Sequence, residues 1–193
     1  TSRPTMRNGY KRTFGFYMGR MKITDIRPID IQNTINAMEK AGASLIELGI
    51  PFSDPVAEGP VIQDANIRSL SAGCTTDKIF EMVKSLRTKT EIPLVFLAYA
   101  NTLYRYGYER FCDKSNEAGI DGFIIPDMPF EEKYELSGIA AAHGIDLISL
   151  IAPTSEQRIQ MIAKEATGFI YVVSSMGVTG VRDKIKTDVA SIV

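Results

Sequence analysis

Short apolar segments rich in β-branched residues alternate along this sequence with segments whose apolar residues recur at helical spacing. The apolar segments are Phe14–Met18, Ser44–Leu48, Leu94–Tyr99, Gly122–Ile125, Asp146–Ile151 and Phe169–Val173. Most are apolar on both alternating faces, which is typical of parallel strands covered on both sides. Because parallel strands need a crossover connection, usually a helix, the alternation predicts a run of βα units and an α/β fold.

The segments between these strands carry helical signals. Apolar residues repeat at Ile31, Ile35 and Met38, at Ile79, Met82, Val83 and Leu86, and at Ile159, Ile162 and Ala163. Three predicted helix-to-strand joints contain Gly42, Gly119 or Gly144, and Gly is favoured where a helix ends in the left-handed conformation. Six such units could form a doubly wound open sheet or most of an eight-stranded barrel, and periodicity does not choose between the two. In a barrel, the chemistry lies at the carboxyl ends of the strands.

Composition limits the function classes. A chain of 193 residues with 45% hydrophobic content and no linker-like stretch predicts one domain, of which we expect residues 1–13 to be poorly ordered. A net charge of −1 gives no electrostatic footprint for nucleic acid or an anionic membrane, and no apolar run approaches the ~18 residues of a membrane span. Cys74 and Cys112 are far apart and lack a His cluster, which argues against a disulfide framework or metal site and favours a cytoplasmic location.

A carboxylate lies near the end of the otherwise apolar segment Leu45–Leu48. Burial disfavours the charged form of Glu47 and should raise its pKa, as a group that exchanges protons at neutral pH requires. The alternative is a core Glu paired with a Lys or Arg from another strand.

A second carboxylate, Glu58, follows in a loop rich in Pro and Gly, from which it could reach back over the strand end. Two carboxylates in unlike settings, one buried and one on a loop, is a pattern by which enzymes divide acid and base roles. An exposed loop Glu without a role is the competing interpretation.

A Gly-bearing loop, Ser174–Arg182, follows the last predicted strand. Such a loop can close as a lid, and its backbone N–H groups can bind a phosphate. Its Ser and Thr could equally be turn residues before a helix beginning near Lys184.

Four motifs together resemble the tryptophan synthase alpha subunit family. They are ELGIPFSDPVAEGPVIQDAN at Glu47–Asn66, YAN at Tyr99–Asn101, PD at Pro126–Asp127 and GVTG at Gly177–Gly180. The resemblance, which extends from about Ile29 to Val193, implies a TIM (β/α)8-type barrel with about its first six βα units in this chain. It also implies retro-aldol cleavage of indole-3-glycerol phosphate to indole and glyceraldehyde 3-phosphate without metal or cofactor. In the family, a beta subunit uses the indole within an alpha2beta2 complex.

The same resemblance implies roles for individual residues. Glu47 matches the catalytic Glu that moves protons at the glycerol side chain, and Glu58 matches a second catalytic carboxylate that is usually Asp and pairs with the indole N–H. The remaining matches are to substrate-binding positions: Phe16, Ile62, Leu97 and Tyr99 around the indole ring, Tyr171 beside the catalytic Glu, and Thr179 and Gly180 in the lid and phosphate site.

Compared with the family, the sequence ends just inside the expected sixth helix, so we expect the last two strands and most of the phosphate site to be missing from it. One alternative function is therefore a non-catalytic partner module that retains the beta-binding surface. Another is a different sugar-phosphate barrel enzyme, against which the residue order of Glu47–Pro60 argues.

Overall fold

The computed structural model describes residues 28–153 and 156–173 of the chain. Helices and strands alternate through these residues. In order they are α1 (Pro28–Lys40), β1 (Ile46–Gly49), α2 (Pro60–Ser71), α3 (Thr76–Arg87), β2 (Leu94–Leu97), α4 (Ala100–Tyr106), α5 (Tyr108–Ala118), β3 (Gly122–Ile124), a 3₁₀ helix (Phe130–Glu132), α6 (Tyr134–Ala142), β4 (Asp146–Ile151), α7 (Glu156–Lys164) and β5 (Ile170–Val172).

The strands form one parallel sheet whose spatial order equals their order in the sequence, β1-β2-β3-β4-β5. Each strand pairs with the next in parallel register. A doubly wound sheet would reverse direction at a switch point and add later strands beyond the first. The sequential order of the described strands therefore decides between the two predicted architectures in favour of the barrel.

The two faces of this sheet differ in their packing. The face covered by helices carries the main core, which contains a cluster of aromatic rings that pack edge to face or tilted: Phe80, Phe96, Phe111 and Phe123. The opposite face, called here the inner face, has a much smaller buried cluster. It consists of Val95, Ile124 and Ile148, with Leu45, Leu97 and Leu150 packed against them. The inner face is therefore where polar side chains can project from the strands.

Several predicted elements agree with the structure. The strand Asp146–Ile151 has the predicted bounds, whereas Leu94–Tyr99 ends early, at Leu97. The glycines at the three predicted joints have positive φ, 92° at Gly42, 84° at Gly119 and 69° at Gly144, as helix ends in the left-handed region require. The first predicted strand, Phe14–Met18, and residues 1–13 lie outside the described residues.

Helix α2 was not predicted from the apolar pattern. It begins after Gly59 with Pro60 in the first turn, where the missing Pro N–H costs nothing. None of its residues is buried, and Val61 and Ile67 are largely exposed. Without a buried stripe the helix leaves no apolar period to recognise. None of the helices within residues 28–153 and 156–173 has the length and apolar content to cross a membrane.

Candidate active site

Glu47 lies on the inner face of the sheet. It stands in register opposite Val95 of β2, a member of the inner cluster. Glu47 is exposed to solvent, yet nearby protein atoms desolvate its carboxyl group enough to raise the pKa above the usual value of 4.5. The predicted direction of the pKa shift is confirmed, although the residue is less enclosed than its apolar neighbours suggested.

Tyr171 projects from β5 onto the same face. It pairs in register with Leu150, which packs against the inner cluster. Desolvation is the main cause that raises the pKa of Tyr171, and the negative charge of Glu47 adds to the rise. In a flat sheet, strands four places apart would be separated by about 19 Å. The influence of the Glu47 charge on Tyr171, across the first and fifth described strands, therefore agrees with a curved sheet that carries both side chains on its inner face.

Glu58 lies at the end of the loop that follows β1, and its side chain is buried, with 6% exposed. The Tyr99 hydroxyl donates a hydrogen bond to Glu58 Oε2 and accepts one from the backbone N–H of Ala57 at 3.0 Å. Desolvation, together with the hydrogen bond to Glu58, raises the pKa of Tyr99 to about 12. The phenol therefore stays protonated at neutral pH, as a donor to the carboxylate requires.

Two further contacts hold this loop. Phe52 stacks on the Tyr99 ring with centroids 5.1 Å apart, and Gln63 Nε2 donates to the Glu58 carbonyl oxygen at 2.9 Å. The prediction of a loop Glu able to reach over the strand end is thus refined. Hydrogen bonds hold Glu58 in place, and it is more buried than Glu47.

Tyr99 itself is placed by the beginning of helix α4, of which it is the N-cap residue. The next N–H, that of Ala100, donates to Asp127 Oδ1 at 2.9 Å. Asp127 belongs to the loop after β3, in the PD motif noted in the sequence. Neither the Tyr99 hydroxyl contacts nor the role of Asp127 could be foreseen, because the partners are 27 to 42 residues apart and follow no period.

The other predicted site residues are only partly brought together. Leu97 is half-buried at the end of β2 and packs against the inner cluster, whereas Ile62 on α2 is 45% exposed. Tyr99 is 2% exposed and turns its hydroxyl to the β1 loop. The residues Phe16, Thr179 and Gly180, with the whole Ser174–Arg182 loop, lie outside the described residues.

Two clefts lie elsewhere, between α6, α7 and the outer face of β4, where Lys133, Leu147 and Ser149 line both of them. The Lys133 ammonium there is paired with Glu165 at 2.9 Å and lies 4.0 Å from the centroid of the Phe130 ring. These clefts are on the helix-covered side, away from Glu47. In residues 28–153 and 156–173, no three His, Cys, Asp or Glu side chains are grouped as metal ligands.

Parallel strands in sequential order, with a carboxylate of raised pKa on their inner face, place the chain in the (β/α)-barrel class of proteins. The family model for the tryptophan synthase alpha chain matches residues 18–193, and the chain belongs to that family. It is 55% identical over 159 residues to the tryptophan synthase alpha chain of Alkaliphilus metalliredigens, and this alignment covers 81% of this chain and 60% of the relative. With the alpha chain of Lacticaseibacillus casei, identity is 49% over 80% of this chain and 59% of the relative.

Solved structures agree with this assignment. The tryptophan synthase alpha subunit of Legionella pneumophila strain Paris matches with a TM-score of 0.71 and 40% identity, over 77% of this chain and 58% of that one. A chain of the Pyrococcus furiosus a2b2 complex matches with a TM-score of 0.71 and 36% identity, over 77% of this chain and 63% of that one. The chain spans about 60% of the length of the curated relatives that it matches.

Proposed function

We propose that this chain carries out the alpha reaction of tryptophan synthase, the retro-aldol cleavage of indole-3-glycerol phosphate to indole and glyceraldehyde 3-phosphate. One observation carries the proposal: Glu47, at the position of the family's acid–base Glu, presents a carboxyl group with a raised pKa to the concave inner face. A carboxyl whose pKa lies nearer neutrality is a better proton donor and acceptor under physiological conditions.

The reaction needs one proton delivered and one removed. Protonation of indole C3 by the neutral carboxyl group creates a cationic indole ring, which withdraws electrons from the bond to the glycerol carbon. The resulting Glu47 carboxylate accepts the proton of the hydroxyl on that carbon. The C–C bond then breaks, its electron pair returns to the ring, and the hydroxyl-bearing carbon becomes the aldehyde. Protons balance, and Glu47 ends as it began.

Glu58 has a separate proposed role, pairing with the indole N–H as positive charge develops on the ring. Its fixed position supports this role, since a preorganised anion stabilises developing charge without reorganising. We further propose that Tyr171, Leu97, Tyr99 and Ile62 contact the substrate, as do Phe16, Thr179 and Gly180 beyond the described residues. In this proposal the protein is cytoplasmic. It also binds a beta subunit, by analogy with the tryptophan synthase a2b2 complex of Pyrococcus furiosus.

Exchange of the acid–base carboxyl for an amide tests the mechanism. Glu47→Gln keeps size and hydrogen-bonding capacity but cannot transfer protons, so the rate of indole release from indole-3-glycerol phosphate should fall about 10²–10⁴-fold. The matched control is Glu81→Gln, an exposed position on helix α3, which should leave the rate unchanged. Equal turnover in wild type and Glu47→Gln would refute the catalytic assignment.

A second candidate function is that of a non-catalytic module that binds a beta subunit. The two functions differ in one measurement. A chain that forms a complex with a beta subunit but yields no indole, with or without that partner, supports the module. Indole release that depends on Glu47 supports the enzyme.

A further inference from the structure

Hydrogen bonds link three successive loops at the carboxyl ends of the strands. Ala57 and Glu58, in the loop after β1, bond to the Tyr99 hydroxyl. One residue beyond Tyr99, the Ala100 N–H bonds to Asp127 in the loop after β3. Tyr99 therefore touches the first loop with its side chain, and its own backbone is anchored to the third.

The geometry at Tyr99 makes this link direct. Its backbone (φ −86°, ψ 144°) is extended and leads straight into the first turn of α4, so the position of Ala100 determines where the tyrosine ring points. The ring is buried and stacked on Phe52, which leaves it little freedom to compensate for a shift of its backbone. A carboxylate oxygen near the N–H groups of a helix start is a favourable acceptor, so the Asp127 contact holds that start in place.

We infer that Asp127 is a positioning residue for Glu58, acting through the Ala100 N–H and the Tyr99 side chain across three loops. The value of this placement to catalysis rests on the role proposed for Glu58, but the physical coupling itself does not. Displacement of a catalytic group by about 1 Å can cost on the order of a hundredfold in rate. Asp127, which acts on Glu58 only through Ala100 and Tyr99, can therefore control turnover.

Amide hydrogen exchange in the 193-residue chain tests the coupling without any assay of activity. Asp127→Ala removes the acceptor for Ala100 and should accelerate exchange of the Ala57 N–H about tenfold, as should Tyr99→Phe, which removes the acceptor for Ala57 itself. Asp127→Asn keeps an acceptor oxygen and should restore most of the protection. The matched control is Asp113→Ala, which removes an Asp that bridges helices α5 and α6 elsewhere.

If Asp127→Ala does not fold, a substitution of Ala100, the donor of the same hydrogen bond, tests the coupling instead. Ala100→Pro removes only the N–H that Asp127 accepts. Proline is well tolerated at the first helical position, and the Tyr99 backbone already has the conformation that a following proline demands. Ala57 should again exchange faster.

Kinetics gives the second readout. In the indole-release assay, Asp127→Ala should lower kcat by about tenfold or more, and Asp127→Asn should lower it much less. The double variant Asp127→Ala/Tyr99→Phe should be no slower than the slower of the two single variants, because both substitutions interrupt the same path from Asp127 to Glu58. The inference is overturned by unchanged Ala57 exchange in Asp127→Ala, by an increase no larger than in Asp113→Ala, or by additive kinetic effects. Absence of indole release from every protein, wild type included, would count against the proposed function and leave the exchange result to decide the coupling.

Discussion

Glu47 and Glu58 show how two carboxylates of one chain acquire different properties. Glu47 projects from a strand and has a raised pKa because protein atoms replace part of its water. Glu58 is the more buried one, yet it is held by a phenol donor and stands on a loop whose backbone bonds to Tyr99 and Gln63. The sequence correctly predicted that the two carboxylates have different surroundings. It wrongly predicted that Glu47 is the more buried of the two. The bonds that bury Glu58 come from residues distant in the chain.

The raised pKa of Glu47 has a consequence for stability. The native state favours the protonated carboxyl group of Glu47, so its pKa is higher in the folded chain than the value of 4.5 in the unfolded chain. The contribution of Glu47 to the free energy of unfolding is therefore complete at low pH and is lost as the pH rises from 4.5 through the folded pKa. Gln has no charge to desolvate. At about pH 7, Glu47→Gln should therefore be at least as stable as the wild type, and the advantage should vanish below pH 4.5. Thermal unfolding at both pH values checks this, and a variant less stable than wild type at neutral pH would contradict it.

At the scale of secondary structure, helix α3 is tied to the next two strands by its last residue, Arg87. Its guanidinium donates to the Gly119 carbonyl and to the Ile92 carbonyl, each at 2.6 Å, and it pairs with Asp121. A second contact of Asp121, from the N–H of Leu94, joins the beginnings of β2 and β3. These three contacts can be made together because the planar guanidinium group of Arg presents several N–H donors in a fixed geometry.

Removal of this guanidinium group should destabilise the fold without touching the inner face. Arg87→Met keeps the apolar stem but leaves two carbonyls without this donor and Asp121 with only the Leu94 N–H, so the free energy of unfolding should fall by about 2 kcal/mol. Arg87→Lys should recover only part of that loss. The matched control is Arg68→Met on exposed helix α2, expected within about 0.5 kcal/mol of wild type. Equal urea midpoints for the two Met variants would show that Arg87 has no such role.

For the whole molecule, local signals predicted most of the helices and strands but not their arrangement. The strand Asp146–Ile151 and the glycine at 119 were predictable from apolar runs and from the need for a left-handed helix end. Helix α2 was missed because it buries nothing. The choice between open sheet and barrel depends on strand order, and the inter-loop contact of Asp127 depends on that order in turn. Neither the strand order nor the Asp127 contact can be read from the spacing of apolar residues in the sequence.

A contact between neighbouring helices should also give the whole fold a pH dependence. The chain has one histidine, His143, which ends helix α6. Its Nδ1 lies 2.8 Å from the carbonyl oxygen of Ile139, and its Nε2 lies 2.8 Å from a carboxylate oxygen of Asp113 on α5. Both neighbours accept hydrogen bonds, and only the protonated ring can donate from both nitrogens. These two bonds raise the pKa of His143 above 6.5, the carbonyl contact being the larger cause, and the nearby Glu109 charge acts in the same direction.

With a folded pKa above the unfolded one, the native chain binds more protons, and stability falls with rising pH. The contribution of His143 should be complete below pH 6.5 and lost as pH increases through the folded value. Asp113→Asn retains an acceptor without the charge, so its deficit in unfolding free energy should be larger near pH 6 than near pH 9. His143→Asn should remove this part of the pH dependence altogether. Urea unfolding at several pH values measures both, and identical slopes in all three proteins would mean that the helix pair is held by apolar packing alone.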